Sequence, residues 1–294
     1  MIDASSEPGA LVLDPQLAAF EAAIADRWVI EDQIGRGTRA TVYRARDVAN
    51  GGSVAIKVFR SDLASAIDGA RFLAQLRKTA DIQHDNIVPV HEVAEAAGRL
   101  FVVMPYIEGE SLRSRLRREQ QLPLSDAVSI ARQIADALGH AHTHEALHKD
   151  LKPENIFLVG DRALLMDLGI ARAITRSIDE TMTGSGLALG TPSYMSPEHA
   201  RGGVEIDARA DLYSLGCVFY EMLAGEPPFT AKMSIAVLKK IMSETPVPIT
   251  TIREELPADV DAAISRLLAK APADRYADAG ELVGALSGLE SSAR

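Results

Sequence analysis

Asp150, Asn155 and Asp167 stand in the run His148-Lys149-Asp150-Leu151-Lys152-Pro153-Glu154-Asn155 and, twelve positions beyond Asn155, in Asp167-Leu168-Gly169. Two carboxylates and a carboxamide are hard oxygen donors of the kind that hold a divalent cation together with phosphate oxygens. Short turns and flanking apolar runs would fix these groups, so that one carboxylate aims a hydroxyl while the others keep metal on a polyphosphate. The chemistry such a set serves is phosphoryl transfer, in which a protein mainly positions reactants and stabilises charge.

Two textures of chain must position these groups. From Trp28 to Phe59 the residues alternate in short runs, Trp28 to Ile34, Ala40 to Arg46 and Val54 to Phe59, separated by glycines that include Asn50-Gly51-Gly52. These runs predict antiparallel strands joined by tight turns. A helical pattern over Ala66 to Ile82 follows, and then two more strand-like runs, Ile87 to Val93 and Leu100 to Tyr106. After Pro123, Ser125 is a candidate N-cap for a long helix with Val128, Ile130, Ile134, Ala135 and Leu138 at helical spacing. Helices dominate from there, over Asp211 to Ala224, Ile235 to Met242, Val260 to Leu268 and Asp278 to Leu286. A mainly β front and a mainly α back predict two lobes with a cleft between them. Ahead of the first strand, residues 1–16 read as a loose lead-in. Leu17 to Ala25 reads as a short amphipathic helix with Leu17, Phe20 and Ile24 on one side.

The chain of 294 residues carries 31 basic and 41 acidic side chains, a net charge of -10. That balance argues against a nucleic-acid binder, which needs clustered Lys and Arg, and favours protein or small-molecule partners. The cluster Arg113, Arg115, Arg117 and Arg118 reads as a solvated stretch of a short helix rather than a docking patch. The single cysteine, Cys217, lies in an apolar run and fits a buried thiol in a reducing compartment. No positive charge precedes Arg27, which argues against a secretory signal. No apolar stretch reaches the length of about 18 residues expected of a membrane span. A cytoplasmic location is the expectation, and nothing in the residues indicates an oligomeric state.

The run Ile34-Gly35-Arg36-Gly37-Thr38-Arg39-Ala40-Thr41-Val42 lies between two predicted strands, whereas a dinucleotide fingerprint must open a helix. Alone it is weak evidence and reads better as a plain hairpin. Val54-Ala55-Ile56-Lys57 on the next strand sets one lysine among apolar neighbours, where its charge needs a partner that a nucleotide phosphate could provide. His140, His142, His144 and His148 bring metal to mind, but zinc sites usually converge from several elements and add other ligand types. His148 fits better as a packing residue of its loop.

Taken in order, these motifs resemble a protein kinase of the eukaryotic type, more narrowly a bacterial serine/threonine kinase domain, over about residues 28 to 286. The resemblance implies an α+β, bilobal protein-kinase-like fold, with a small antiparallel β-sheet lobe (about 28–105) carrying one main helix. A larger, mostly α-helical lobe (about 108–286) would follow, with residues 1–27 as an N-terminal extension and 287–294 as a tail. It implies ATP and Mg²⁺ as cofactors and proteins with Ser or Thr acceptors as substrates. In such kinases a glycine-rich loop covers the phosphates, a strand lysine holds them and the H-R-D and D-F-G loops supply base and metal ligands.

Carried over by position, Asp150 orients the attacking hydroxyl and Lys152 steadies the transferred group, with Asn155 and Asp167 on Mg²⁺. Residues 34–42, Ala55 and Lys57 surround the nucleotide with Met104, Pro105, Ile107 and Phe157; the Pro105 carbonyl and Ile107 N–H are the adenine contacts. Gly190-Thr191-Pro192-Ser193-Tyr194-Met195-Ser196-Pro197-Glu198 resembles the end of the activation segment, a piece that small-molecule kinases of related shape lack. Lys152 with Thr191 points to Ser/Thr acceptors, and Thr181 and Thr183 are candidate autophosphorylation sites. Asp211 resembles the brace of the catalytic loop, and Arg275 the late partner of Glu198. Bacterial relatives often continue into a membrane span and a sensor, so the chain is also consistent with the soluble part of a longer anchored protein.

The chain departs from the pattern at Gln75, which stands where the family pairs a glutamate with the strand lysine. A charged pair at an effective dielectric of 20 gives up to about 4 kcal/mol of Coulomb energy, a neutral hydrogen bond about 1 kcal/mol. At about 1.4 kcal/mol per tenfold in rate, the loss slows an enzyme without abolishing it. The alternative this raises is a pseudokinase, a nucleotide-binding signalling module with little activity. Lys149 in place of the common arginine keeps the charge but loses the bidentate fork. Leu168 and Ala40 are mild changes from the family's phenylalanine and third glycine.

Overall fold

The computed structural model describes residues 15–61, 67–177, 192–202 and 206–292. Contacts divide the chain into two compact units, Met1–Gly69 with His91–Tyr106, and Ala70–Val90 with Ile107–Arg294.

The first unit is a helix on a sheet. Helix α1 (Pro15–Ile24) leads into β1 (Trp28–Arg36), β2 (Ala40–Asp47), β3 (Ser53–Phe59), β4 (Glu92–Ala96) and β5 (Arg99–Pro105). The antiparallel strands lie in the order β1-β2-β3-β5-β4, with Val42 opposite Lys57 and Ala55 opposite Met104. Their alternating side chains form an apolar core of Tyr43, Ala45, Val54, Ile56, Val58, Phe101 and Val103. The run Ile87 to Val93 is strand only from Glu92 onward. Ile87 instead forms a parallel bridge with Leu165 in the second unit's own structure, because Asn86 and Val88 give their backbone bonds to Leu165.

The second unit opens with α2, which spans Gly69–Ala80 from the last residue of the first unit and buries Phe72 and Leu76. It continues with β6 (Glu110–Ser111), α3 (Leu112–Glu119), α4 (Leu124–Thr143), β7 (Ile156–Val159), β8 (Arg162–Leu165) and α5 (Ile170–Ser177). The remaining helices are α6 (Pro197–Ala200), α7 (Ala208–Ala224), α8 (Ser234–Ser243), α9 (Ile249–Ile252), α10 (Ala258–Leu267) and α11 (Ala279–Ser292). Helix α7 is apolar almost all round and is buried from Ala210 to Leu223, as a helix at the centre of a unit must be. Asp207 caps its first turn, and Gly225 at φ 89° ends it. Close approaches are bought with glycine: a Cβ on Gly216 would sit 2.7 Å from the Cβ of Leu267. At the start of α4 the cap position is held by Pro123 without a side-chain bond. Ser125 is inside the helix and bonds Asp126, so it is not the N-cap.

Candidate active site

In the first unit the glycine-rich run is the β1–β2 hairpin, closed by a bond from Gly37 N to the Ala40 carbonyl at 2.8 Å. The hairpin does not itself demand its glycines. A Cβ on Gly35 would meet Val42 at 3.7 Å and one on Gly37 the Ala40 oxygen at 3.5 Å, both ordinary contacts, and neither residue needs a positive φ. Glycine there leaves the backbone bare, as suits close approach to a ligand. Ile34 is exposed at the hairpin, Arg36 and Thr38 lie outward, and Arg39, Thr41 and Val42 are half-buried. The sheet pleat turns Lys57 and Ala55 away from the Ile56 and Val58 side. Met104, opposite Ala55, shares their face, and Pro105 closes β5 opposite Val54.

In the second unit, the spacing of Asn155 and Asp167 follows from the β7–β8 hairpin. Ile156 pairs with Leu165, the next rung is a bond from Met166 N to the Asn155 carbonyl at 2.9 Å, and Asp167 comes one residue later. Phe157 lies in the same hairpin, half-buried. Gly109, two residues after Ile107, packs against it so closely that a Cβ would fall 2.2 Å from the Leu158 carbonyl oxygen.

The loop from His148 to Asn155 is tied on three sides. His148 is fully buried; its Nε2 lies 2.8 Å from the Met166 carbonyl, and its Nδ1 accepts from Asp150 N at 3.2 Å. Asp211, from α7, accepts from Lys149 N at 2.8 Å through Oδ1 and from His148 N at 2.9 Å through Oδ2. Burial would raise the Asp211 carboxyl, but the His142 hydrogen bond, the charges of His142 and His148 and the Lys149 N–H hold it below the usual carboxylate range. These bonds hold Lys149 at φ 62°, a left-handed conformation costly for a side chain other than glycine. Lys152 Nζ donates to Asp150 Oδ2 at 2.7 Å, and Asn155 Nδ2 donates to the Asp150 carbonyl at 2.8 Å. That bond turns the amide nitrogen of Asn155 inward and leaves its oxygen for another partner. That oxygen and the Asp167 carboxylate are both hard oxygen ligands, a chemistry that fits Mg²⁺.

Glu198 and Arg275 form a two-armed pair at 2.7 and 2.8 Å. Arg275 also donates to the carbonyls of Ala269, Arg209 and Lys270. Burial would raise the Glu198 carboxyl, yet the Arg275 hydrogen bond leaves it below the usual range. Thr181, Thr183 and Thr191 lie outside the described residues. Gln75 sits half-buried on α2 and lines a cavity of about 340 Å³ with Lys78, Thr79, His144, Gly169 and Arg172.

Three features escape sequence reasoning. His142 is a second support of Asp211, with Nε2 2.9 Å from Oδ2. Helix α5 follows Gly169 directly. Arg113 is a hub rather than part of a solvated face: it donates to Glu154 of the catalytic loop at 2.8 Å, to Glu221 of α7 at 2.7 Å and to the Tyr194 hydroxyl. Tyr194 donates in turn to Glu221 at 2.6 Å. Arg115 and Arg118 are also ion-paired, with Asp126 and Glu110. The readable clue was Glu221, an acid inside the apolar run from Val218 to Leu223, which at 3% exposure has to be paired.

A family model for the protein kinase domain matches residues 28–284. The serine/threonine-protein kinase PknB of Mycobacterium leprae is 38% identical over 265 residues, 88% of this chain and 42% of that protein. PknH of Mycobacterium bovis is 38% identical over 252 residues, 85% of this chain and 41% of its own length. The chain thus spans less than half the length of these relatives. Among solved structures, the PknI kinase domain of Mycobacterium tuberculosis superposes with a TM-score of 0.72 at 28% identity, covering 89% of this chain and 95% of that one. Among the described residues no helix is long and apolar enough to cross a membrane.

Proposed function

The chain belongs to the protein kinase domain family, and from that premise we propose that it transfers the γ-phosphoryl group of ATP to serine or threonine hydroxyls of proteins. The observation that carries this reading is the loop geometry around Asp150, with Lys152 at 2.7 Å from its carboxylate and Asn155 bonded to its carbonyl. The kinase domain is taken as residues 28–286.

Asp150 receives and orients the acceptor hydroxyl, and its ion pair with Lys152 keeps an ammonium beside the group in transit, where negative charge is spread over phosphoryl oxygens. Asn155 and Asp167 would hold Mg²⁺, which when bound would supply neutralising charge to the phosphates. The bare backbone of Gly35 and Gly37 lies along the phosphates, with Lys57 as their cation. By the family's pattern Ala55, Val42 and Met104 of the first unit and Phe157 of the second are the proposed adenine contacts, with the Pro105 carbonyl and Ile107 N–H as its hydrogen-bonding groups. A protein acceptor is favoured by the segment ending at Glu198, which Arg275 anchors. Thr181 and Thr183 are the loop hydroxyls proposed to take phosphate in cis or trans.

Incubation of the protein with Mg-ATP and a basic protein substrate should transfer phosphate to Ser and Thr, with loop sites located by mass spectrometry. Asp150→Asn should abolish transfer while leaving the melting midpoint near that of the wild type. Equal silence of wild type and variant would reject the activity. Gln75→Glu raises the rate if the neutral side chain is what slows the enzyme.

A further inference from the structure

The helix ahead of β1 lies outside the residues matched by the family model, which begin at 28, yet it is part of the core of the first unit. Phe20 and Ile24, four apart and so on one face of α1, are 0% and 3% exposed. Phe20 meets Phe101 edge to face, with ring centroids 5.3 Å apart, and Trp28 meets the same ring at 6.0 Å. The link from α1 to the sheet is pinned as well. Arg27 reaches Glu92 of β4 through both guanidinium arms, one at 2.7 Å, and its guanidinium lies 4.0 Å from the centre of the Trp28 ring. Its carbonyl accepts from Val48 N at 2.9 Å.

What α1 covers is the reverse of the face that carries the nucleotide residues. In β3, Val54, Ile56 and Val58 belong to the core cluster under α1, so by strand alternation Ala55 and Lys57 project to the other side. In β5, Phe101 and Val103 belong to that cluster, which turns Val102 and Met104 to the side of Lys57 and Ala55. Phe101 pairs with Val58 and Val102 with Lys57. The ring on which Phe20 rests is therefore one residue from the partner of Lys57 along the strand.

We propose that α1 is a positioning element for the nucleotide face: Phe20, by packing on Phe101, fixes β5 and β3 and so sets where Ala55, Lys57 and Met104 stand. The inference rests on the kinase reading for what that face binds, and on the packing alone for how it is held. Close-packed interiors transmit strain, and the side chains around a new void relax partly into it. A hole under Phe101 therefore shifts or loosens the two strands and the side chains on their far face. A helix that merely shields apolar surface would change stability and leave ligand affinity alone.

The test uses the full chain with Phe20→Ala and Phe20→Leu. Both melt earlier than wild type, Ala more than Leu, so measurements are made well below the lowest midpoint, with the emission of Trp28, the single tryptophan, checking that the unit is folded. Titration with a fluorescent ATP analogue should show affinity weakened about tenfold in Phe20→Ala, in keeping with the effect of a small displacement on a fitted site. Phe20→Leu should recover most of it. An unchanged affinity in folded Phe20→Ala would overturn the positioning role. Amide hydrogen exchange at residues 54–58 and 101–104 decides the same point without ligand: local loss of protection supports the proposal, and protection equal to wild type refutes it. Absence of nucleotide binding by the wild type would instead remove the kinase reading, with the exchange result still deciding the role of α1.

Discussion

Replacing Asp211 by asparagine keeps the volume of a side chain that is 1% exposed but removes the charge on which three bonds converge. Oδ1 accepts from Lys149 N, and Oδ2 from His148 N and His142 Nε2, all between 2.8 and 2.9 Å. Whichever way the amide is turned, its NH₂ faces at least one backbone N–H, donor against donor. Losing one hydrogen bond to a charged acceptor costs about 1.5–3 kcal/mol, a fall of roughly 3–12 °C in melting midpoint at about 2–4 °C per kcal/mol for a chain of this size. The kinetic effect arises through Lys149, whose left-handed backbone carries a penalty of about 1–2 kcal/mol that Asp211 offsets. Once the bond is gone the loop relaxes, and at about 1.4 kcal/mol per tenfold the productive conformation, and phosphate transfer with it, drops roughly 5- to 30-fold. Initial rates of phosphate transfer from labelled ATP to a protein acceptor, taken well below both midpoints, measure this. Adding Lys149→Gly should restore part of the rate, because glycine adopts a positive φ without penalty. An Asp211→Asn protein that melts and turns over like wild type would refute the bracing.

Gly109→Ala forces a methyl to 2.2 Å from the Leu158 carbonyl and 2.9 Å from the Phe157 ring; thermal melts should show a loss of about 1–3 kcal/mol from overpacking. Gly284→Ala in α11, with nothing within 4 Å of the new methyl, is the control and should gain up to about 1 kcal/mol from helix propensity. Burial first, and then repulsion from Lys149, holds the His199 imidazole below its ordinary value of 6.5. The folded protein thus binds this proton less well than the unfolded chain. The contribution to stability is complete above the ordinary value and is lost as pH falls from there through the lowered one. Urea midpoints measured across that window should decline with acid, and His199→Gln should flatten the decline; an unchanged slope would exclude His199 as its source.

Much of the fold was legible because its periodicities are local. Strand alternation from Trp28 to Phe59 and helical spacing from Val128 to Leu138 need only neighbours along the chain, and so does the loop that holds Asp150 and Asn155. Ser125 was misplaced as a cap because Pro123 already supplies the extended residue from which the helix starts, φ -55° and ψ 146°. Ile87 read as strand because its neighbours are apolar, while the residue that decided its pairing, Leu165, is 78 positions away. The Arg113 hub was hidden for the same reason: a guanidinium in a basic cluster looks solvated until the fold brings Glu154 and Glu221 to it. Phe20 and Ile24 announced an amphipathic helix, but the surface they cover exists only after β1 to β5 are assembled.

The Arg113 hub also sets an order of events during synthesis. Its bond to Tyr194 joins residues 81 positions apart and its bond to Glu221 residues 108 apart. At about 5–20 residues per second, the stretch between Arg113 and Glu221 takes on the order of 5–20 s to emerge from the ribosome. For the last 66 residues of that stretch, from Asn155 to Glu221, α3 and the catalytic loop have their own sequence complete but lack the acid that settles the guanidinium. The α4 helix, for its part, waits still longer for α11, which packs along it. The nascent second unit therefore spends seconds with apolar faces uncovered, the condition in which chains are most exposed to aggregation and most dependent on chaperones.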